Sequence, residues 1–307
     1  MTSSGAPSKL AALALPPDPR MRYWRPAPAL APLVSGYHLY AIDPGPAGRQ
    51  RDVFQPAWPS LRFTFGAGDW CVRQPGDPWQ PVGPTSVFGP SCRVTWSESG
   101  PGITIGIGLR PRGWAHWARP MASEWADRVG DPAGVFTFDV EALREEVAAI
   151  NDDAAIPALF DRFLQSRPVP TDDGEGVISK VEAALLDPEV QTVAELARRI
   201  GISARSLERL SLRAFGFTPK RLMRRARFLR SLHAVAEAPV AARATAIDPH
   251  YTDYSHFVRD AQHFLGMSPQ AFLKLDTPLL KQSLALRRQV LGAPAQALAT
   301  SPDSHGK

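Results

Sequence analysis

Between Thr192 and Phe228 the chain reads TVAELARRIGISARSLERLSLRAFGFTPKRLMRRARF, a pattern that leaves little choice of local structure. Thr192 and Glu195 have the Thr-x-x-Glu spacing of a capping box, which predicts a helix start. Val193, Leu196, Ala197 and Ile200 then recur on one helical face. Gly201 follows the last of them and suits the left-handed residue that ends a helix. Ser203 is an N-cap for a second helix with the apolar stripe Leu207, Leu210 and Ala214. Two short amphipathic helices joined by a tight turn are a helix-turn-helix.

Charge narrows the reading. From Arg198 to Arg230 there are eleven Lys or Arg residues and one acid, Glu208. Arg205, Glu208, Arg209 and Arg213 lie off the apolar stripe of the second helix. Such a face fits a DNA major groove, where an Arg fork meets the acceptors of guanine. The plainer alternative is a solvated basic surface on an ordinary helical bundle.

The pattern occurs twice. Thr218-Pro219 opens a longer helix with the stripe Leu222, Ala226, Leu229 and Leu232. Beyond Pro239, Val240–Ile247 is predicted as a helix, His250–Thr252 as a turn, and Asp253 as the N-cap of Tyr254–Leu265. Gly266-Met267-Ser268-Pro269 then repeats the form of Gly216-Phe217-Thr218-Pro219.

The chain has 307 residues and a net charge of +5. Residues 1–170 are balanced, with 16 basic and 16 acidic side chains, and residues 171–307 carry the whole excess, with 19 and 14. A neutral first part and a basic second part imply separate tasks and a polyanion as partner of the second. No apolar run approaches the ~20 residues of a membrane span, so a soluble, cytoplasmic protein without a membrane partner is expected. The two cysteines, Cys71 and Cys92, fit no zinc spacing. His250, His256 and His263 lack helical metal spacing. No metal and no cofactor are expected.

An α+β chain is predicted. Residues 1–20 are an Ala/Pro-rich, disordered extension. Residues 21–166 form a β-rich domain with helices, residues 167–176 a linker, residues 177–276 the helical DNA-binding domain, and residues 277–307 a helix at Leu279–Val290 followed by a disordered tail. In the first domain, strands are expected at Tyr37–Ile42, Leu61–Phe65, Thr85–Phe88, Arg93–Trp96 and Ile103–Leu109, with the stretch around Asp43–Arg51 as a turn. The Leu61–Phe65 alternation reads as a half-buried strand. On the Ile103–Leu109 strand, Gly and Thr alternate with Ile and Leu, leaving room for a neighbouring backbone or for a ligand. Helices are expected at Ala29–Val34, after Gly113, from Asp139 to Ile150, at Ala155–Gln165 and at Val177–Leu186.

With these residues in view, the C-terminal part resembles the DNA-binding domain of AraC/XylS-type transcriptional regulators. The motifs that carry the resemblance are VAELARRIGISARSLERLSLRAFGFTPKRLMRRARF and YTDYSHFVRDAQHFLGMSPQAF, the latter with Asp-x-Ser-His-Phe and Gly-x-Ser-Pro elements. The resemblance implies an all-α domain with two helix-turn-helix units joined by a long helix. The first part more weakly resembles a β-rich domain, cupin-like or a related barrel, found with this DNA-binding domain. Its matching points are Pro59–Phe63, Val87–Pro90 and Gly108–Gly113.

Carried over position by position, the base-contact candidates are Arg205, Ser206, Glu208 and Arg209 in the first unit. Tyr254, Ser255, Val258 and Arg259 are the equivalents in the second, of which Tyr254, Ser255 and Arg259 carry the polar contacts. Arg213, Lys220, Arg224 and Arg225 are phosphate-contact candidates, or face solvent. Arg227 matches a structural Arg of the connecting helix. The resemblance further implies double-stranded DNA and RNA polymerase as partners, with a small-molecule effector and a homodimer as candidates. One departure is notable. His250 stands where the family commonly has Gly, which implies a strained positive φ and a second unit that is less rigid or only touches the DNA backbone.

The chain is not expected to be an enzyme. Catalysis by the first part, for example thiol alkyl transfer at Cys71 or Cys92, lacks a base near either thiol in sequence. Whether that part senses a ligand or only mediates interactions is left open by the sequence.

Overall fold

The computed structural model describes residues 20–66, 69–167 and 173–299. The expected N-terminal extension, apart from Arg20, lies outside the described residues, as do 168–172 of the expected linker and the last eight residues of the tail.

Among the described residues, ten strands form two antiparallel sheets. They are β1 (Arg20–Trp24), β2 (Val34–Ile42), β3 (Gln50–Phe54), β4 (Ser60–Phe65), β5 (Trp70–Arg73), β6 (Gln80–Pro81), β7 (Thr85–Phe88), β8 (Thr95–Ser99), β9 (Gly102–Leu109) and β10 (Val129–Gly130). The larger sheet has the order β1-β2-β9-β4-β7-β10, the smaller β3-β8-β5-β6. One strand expectation shifts: Arg93–Trp96 becomes β8 at Thr95–Ser99, because the backbone at Val94 leaves the sheet and donates to Phe264 O across the molecule, at 2.9 Å. The Asp43–Arg51 turn is shorter than expected, since Gln50 and Arg51 already pair with β8.

The apolar rows of β4 and β9 face the same way. Leu61, Phe63 and Phe65 join Ile103, Ile105, Ile107 and Leu109 in one core. Helices α1 (Pro111–Trp117), α2 (Val140–Ala148) and α3 (Ile156–Gln165) close it with Trp114, Leu143, Phe160 and Phe163. Asp139 caps α2 by accepting from Glu141 N and Ala142 N, both at 3.0 Å.

The other face of the larger sheet, where Leu61–Phe65 reads as half-buried, is covered as well. Tyr23, His38, Gly106, Arg62 and Ser86 lie in register across β1, β2, β9, β4 and β7. All four of the side chains in this row are buried. Gly106 is required here: a Cβ would come within 2.4 Å of His38 Nε2. The room left by the small residues of β9 is thus taken by side chains of the chain itself.

The remaining helices are α4 (Asp173–Leu186), α5 (Val193–Ile200), α6 (Ala204–Phe215), α7 (Pro219–Glu237), α8 (Tyr254–Leu265), α9 (Pro269–Leu273) and α10 (Pro278–Leu291). They share a second core around Leu207, Phe215, Phe228, Leu229, Phe257 and Phe264. This core also takes in Trp58, Cys92 and Val94 from the β-rich part, so the two parts are packed together. Helix α10 returns to the β-rich part. Asp52 of β3 accepts from Leu279 N (2.8 Å) and Leu280 N (3.1 Å), satisfying orphan donors of the first turn. The segment after α10, expected to be disordered, is packed as far as residue 299: Gln296 is buried and donates to Ser35 Oγ at 2.7 Å and to Leu109 O at 3.1 Å.

Buried titratable groups make stability depend on pH. Burial lowers His233 from 6.5 to about 4 and holds His38 well below the usual imidazole value, helped by the Arg62 and Arg287 charges. For such a histidine the unfolded chain binds the proton more readily. Its contribution is present above about 6.5 and is lost as pH falls toward 4. Asp52 acts oppositely: burial raises it to about 6, so its folded form gains stability as pH falls through that value. We expect His233→Gln to reduce the slope of unfolding free energy against pH between 6.5 and 4, by up to about 1.4 kcal/mol per pH unit. Urea titrations at stepped pH measure it, and an unchanged slope would exclude His233 as a contributor.

Candidate nucleic-acid interface

The first unit is built as its sequence dictates. Thr192 Oγ1 accepts from Glu195 N at 3.1 Å while Glu195 Oε2 accepts from Thr192 N at 2.9 Å, the reciprocal capping box that starts α5. Gly201 ends α5 at φ 79°, and Ser203 Oγ accepts from Ser206 N at 3.1 Å to start α6. Leu207, Ala214 and Phe215 are buried. That packing turns Arg205, Glu208, Arg209 and Arg213 outward, all exposed, with Ser206 half-buried beside them. Among the described residues, none of these four charged side chains has a hydrogen-bonding or ionic partner.

Helix α7 spans 19 residues, roughly 28 Å at the α-helical rise, and joins this unit to the second. The second unit departs from expectation. Val240–Ile247 is not a helix; it makes one 3-10 turn at Val240–Ala242 followed by turns. Val240 is 78% exposed and anchors nothing, while only Ala246 and Ile247 at the far end pack against the second core. Thr245 Oγ1 donates to Ala242 O instead of continuing a helix. His250 is not strained: among the described residues Asp127 alone, at 57°, has positive φ without being Gly. The turn is made by Asp248, whose Oδ1 accepts from His250 N at 3.0 Å, an Asx-turn that removes the need for Gly. Asp248 is held in turn by Arg230 at 3.0 Å and by Ser231 Oγ.

Asp253 Oδ1 accepts from His256 N at 2.7 Å and starts α8. Ser255 and Arg259 are exposed; Tyr254 and Val258 are half-buried. Tyr254 packs edge-on to Phe257, at 5.7 Å between centroids. Arg259 has no partner among the described residues.

The phosphate candidates divide. Arg213 and Lys220 are exposed. Arg224 Nε donates to Asp260 Oδ1 at 2.7 Å. Arg225 is 2% exposed: its Nη1 donates to Ser91 O at 2.7 Å and its guanidinium lies 4.0 Å from the Trp58 ring centre. In this arrangement Arg225 joins the two parts of the chain and has no path to a phosphate, which corrects the expectation. Arg227 serves structure, its guanidinium 4.7 Å from the Tyr251 ring centre and 4.0 Å from Asp260.

Asp260, fully buried, is the hub that the sequence reading missed. It receives Arg224, Arg227 and, at 2.8 Å, the Tyr251 hydroxyl, and so fixes α8 against α7. A signal existed: Asp260 sits on the buried stripe of Phe257, Ala261 and Phe264, where a carboxylate needs cationic partners. Asp127 was missed too. Its Oδ1 accepts from Cys92 N and Arg93 N, at 2.7 and 3.2 Å, and its Oδ2 pairs with Arg221 at 3.1 Å.

The C-terminal ends of α6 and α8 meet the β-rich part in the same way. Gly216 (φ 83°) lies so close to Pro90 that a Cβ would come within 2.5 Å. At Gly266 (φ 73°) a Cβ would come within 2.7 Å of Pro75. The repeated glycines thus end each helix and allow the β-rich part to abut it. The N-terminal halves remain open.

Cys92 is buried and its thiol is pushed up to about 11, chiefly by burial, so it is not an activated nucleophile. Among the described residues no group of three or more His, Cys, Asp or Glu converges as a metal site, and no helix is long and apolar enough to cross a membrane.

Residues 196–275 match the model of a helix-turn-helix domain family. No curated protein matches the chain. Among solved structures the chain is similar to ToxT from Vibrio cholerae, at 11% identity, covering 77% of this chain and 97% of that one with a TM-score of 0.41. A structure of unsaturated fatty acid bound wild-type ToxT aligns at 9% identity over 76% of this chain and 93% of that one, TM-score 0.40. Native PhpD with cadmium atoms aligns at 16% identity over 56% and 44%, TM-score 0.19. With two units set on one connecting helix and the family match across both, residues 196–275 of the chain are a helix-turn-helix domain, and a β-rich part precedes it.

Proposed function

We propose that α6 and α8 enter adjacent major-groove segments on one face of the DNA and read bases there. Arg205, Ser206, Glu208 and Arg209 contact bases in the first segment, and Tyr254, Ser255 and Arg259 in the second. Arg213 and Lys220 neutralise phosphates. Arg224 and Arg225 hold the recognition helices in place. The carrying observation is the open N-terminal half of each helix, with Arg205, Arg209 and Arg259 unengaged by the protein. A segment one helical turn further along the DNA lies roughly 34 Å away, a span of the order of α7. The N-terminal domain is regulatory: it touches the C-terminal end of both helices through Gly216 and Gly266, so a change in it is felt at both. A small-molecule effector, a second copy of the chain and RNA polymerase are the partners this reading assigns. It is a cytoplasmic function and involves no catalysis.

Salt dependence tests the phosphate assignment. Log K for a bound duplex should fall linearly with log salt, by about 0.9 per neutralised phosphate. Lys220→Ala and Arg213→Ala should each reduce that slope by about 1 and weaken all sequences alike. Arg225→Gln should leave the slope unchanged. A slope altered by Arg225→Gln and not by Lys220→Ala would reverse the assignment.

A further inference from the structure

The two recognition helices are tied to each other twice. Helix α7 is the first tie. The second runs through the β-rich part, where Pro90 abuts the end of α6 at Gly216 and Pro75 abuts the end of α8 at Gly266. Pro90 lies in the loop between β7 and β8, and Pro75 in the turn between β5 and β6. The separation of these two prolines is therefore also a separation of the helix ends.

Asp127 stands between them. Its N donates to Pro90 O at 2.8 Å, and its O accepts from the side chain of Gln74, the neighbour of Pro75, at 3.0 Å. Its Oδ1 accepts from Cys92 N and Arg93 N, which fixes the rest of the Pro90 loop. Arg93 carries the tie onward, its guanidinium donating to Pro75 O at 3.2 Å and to Asp77 at 3.3 Å. The next residue, Val94, donates its N–H to Phe264 O in the last turn of α8. Asp127 Oδ2 accepts from Arg221 Nη2 at 3.1 Å, and that guanidinium lies 4.6 Å from the ring centre of Phe217, at the corner between α6 and α7.

The backbone shows that this arrangement is imposed. Asp127 has a φ of 57°, a left-handed value that costs a residue with a Cβ and persists where the surroundings over-determine it. Here the amide, the carbonyl and both carboxylate oxygens are all bonded across the joint. Glycine would adopt the same backbone without strain, but it brings no carboxylate.

The consequence falls on the DNA. Helices α6 and α8 have 12 residues each, roughly 18 Å, so a shift at the C-terminal end is carried to the open N-terminal half. A single connecting helix can bend and lets the two units splay about it. A joint that also holds their far ends removes that freedom. One extra base pair between two DNA blocks moves the second by about 3.4 Å and turns it by roughly 35°.

We infer that Asp127 is a positioning residue for DNA recognition: it sets the separation of α6 and α8, and with it the spacing between DNA blocks that the chain accepts. This rests on the reading that both helices contact bases.

The test gives the full chain duplexes that carry its two selected blocks at the selected spacing, and with one or two base pairs inserted or removed. Wild type should lose at least about fivefold in affinity for a one-base-pair change, the equivalent of one base contact. Asp127→Gly keeps the backbone and removes the carboxylate. It should bring affinities at neighbouring spacings to within about twofold of each other, with base preferences inside each block unchanged. Asp127→Asn, which keeps an acceptor for the loop and weakens the link to Arg221, should fall between. Arg221→Gln cuts that link from the α7 side and should relax the spacing even if Asp127→Gly does not unfold cooperatively. An unchanged spacing preference in Asp127→Asn and Arg221→Gln would overturn the inference. So would equal weakening at every spacing, the mark of a residue that only stabilises the fold. A wild-type chain indifferent to spacing fails differently: it overturns the two-block reading and the inference with it, before any variant is made.

Discussion

Arg110→Met is expected to destabilise the chain by about 3–5 kcal/mol at neutral pH, the largest effect of any single substitution considered. Glu182 of α4 is 1% exposed, and its Oε1 accepts from Arg110 Nη1 at 2.8 Å. Arg110 precedes α1 in the β-rich domain and also donates to Ala31 O and Ala299 O, at 2.9 and 3.1 Å. The pair therefore joins the β-rich domain, the first helix after the linker and the packed tail. Burial raises Glu182 above the ordinary carboxylate value, and Arg110 works against that rise. Removing Arg110 strands the carboxylate, which must then take a proton or break the packing. The sign follows: a group with a raised folded pKa binds its proton more readily when folded, so the variant regains stability as pH falls and loses it as pH rises through that pKa. Arg110→Met combined with Glu182→Leu should recover most of the loss, because the desolvation of both charges disappears together. Urea unfolding of wild type, single and double variants at pH 5 and pH 8 measures this. A loss below ~1 kcal/mol in the single variant would mean that the pair is not what joins these elements.

Arg209→Ala should cost about 1–3 kcal/mol, roughly 5- to 150-fold, at one base pair and little elsewhere. Arg209 is exposed on α6, unengaged, and opposite the stripe that buries Leu207 and Phe215. The helix is fixed by its Ser203 cap and by Gly216 against Pro90, so the substitution leaves its placement intact. A guanidinium fork on guanine distinguishes that base from the other three, and Ala cannot. Glu208→Ala should act at a neighbouring position if Glu208 accepts from a cytosine amino group. Competition among duplexes differing at single positions separates the outcomes. Uniform weakening across all sequences would make Arg209 a phosphate contact.

Where the sequence was informative, the determinants were local. The Thr192–Glu195 capping box, the Ser203, Asp139 and Asp253 caps, and Gly201, Gly216 and Gly266 each decide their own surroundings within a few residues. What could not be read depended on partners far along the chain. Arg225 looked like its basic neighbours until Ser91 and Trp58, more than 130 residues earlier, folded over it. Arg62 occupies a polar position in a strand that alternates, yet both faces of its sheet are covered. The Ala-rich segment after Gly292 has the composition of a loose tail, and it packs because small residues fit closely between α7 and the sheet, with Gln296 bonded to Ser35. Val240–Ile247 was the reverse case, a helical spacing without an apolar face strong enough to hold a helix.

The central claim is that both recognition helices read DNA bases. Selection from random duplexes by the full chain, at a stated near-physiological salt, tests it most directly. Two enriched blocks with centres about one helical turn apart are the predicted result. One block alone would mean that α8 only clamps the backbone, and no enrichment by a folded chain would contradict sequence-specific recognition altogether.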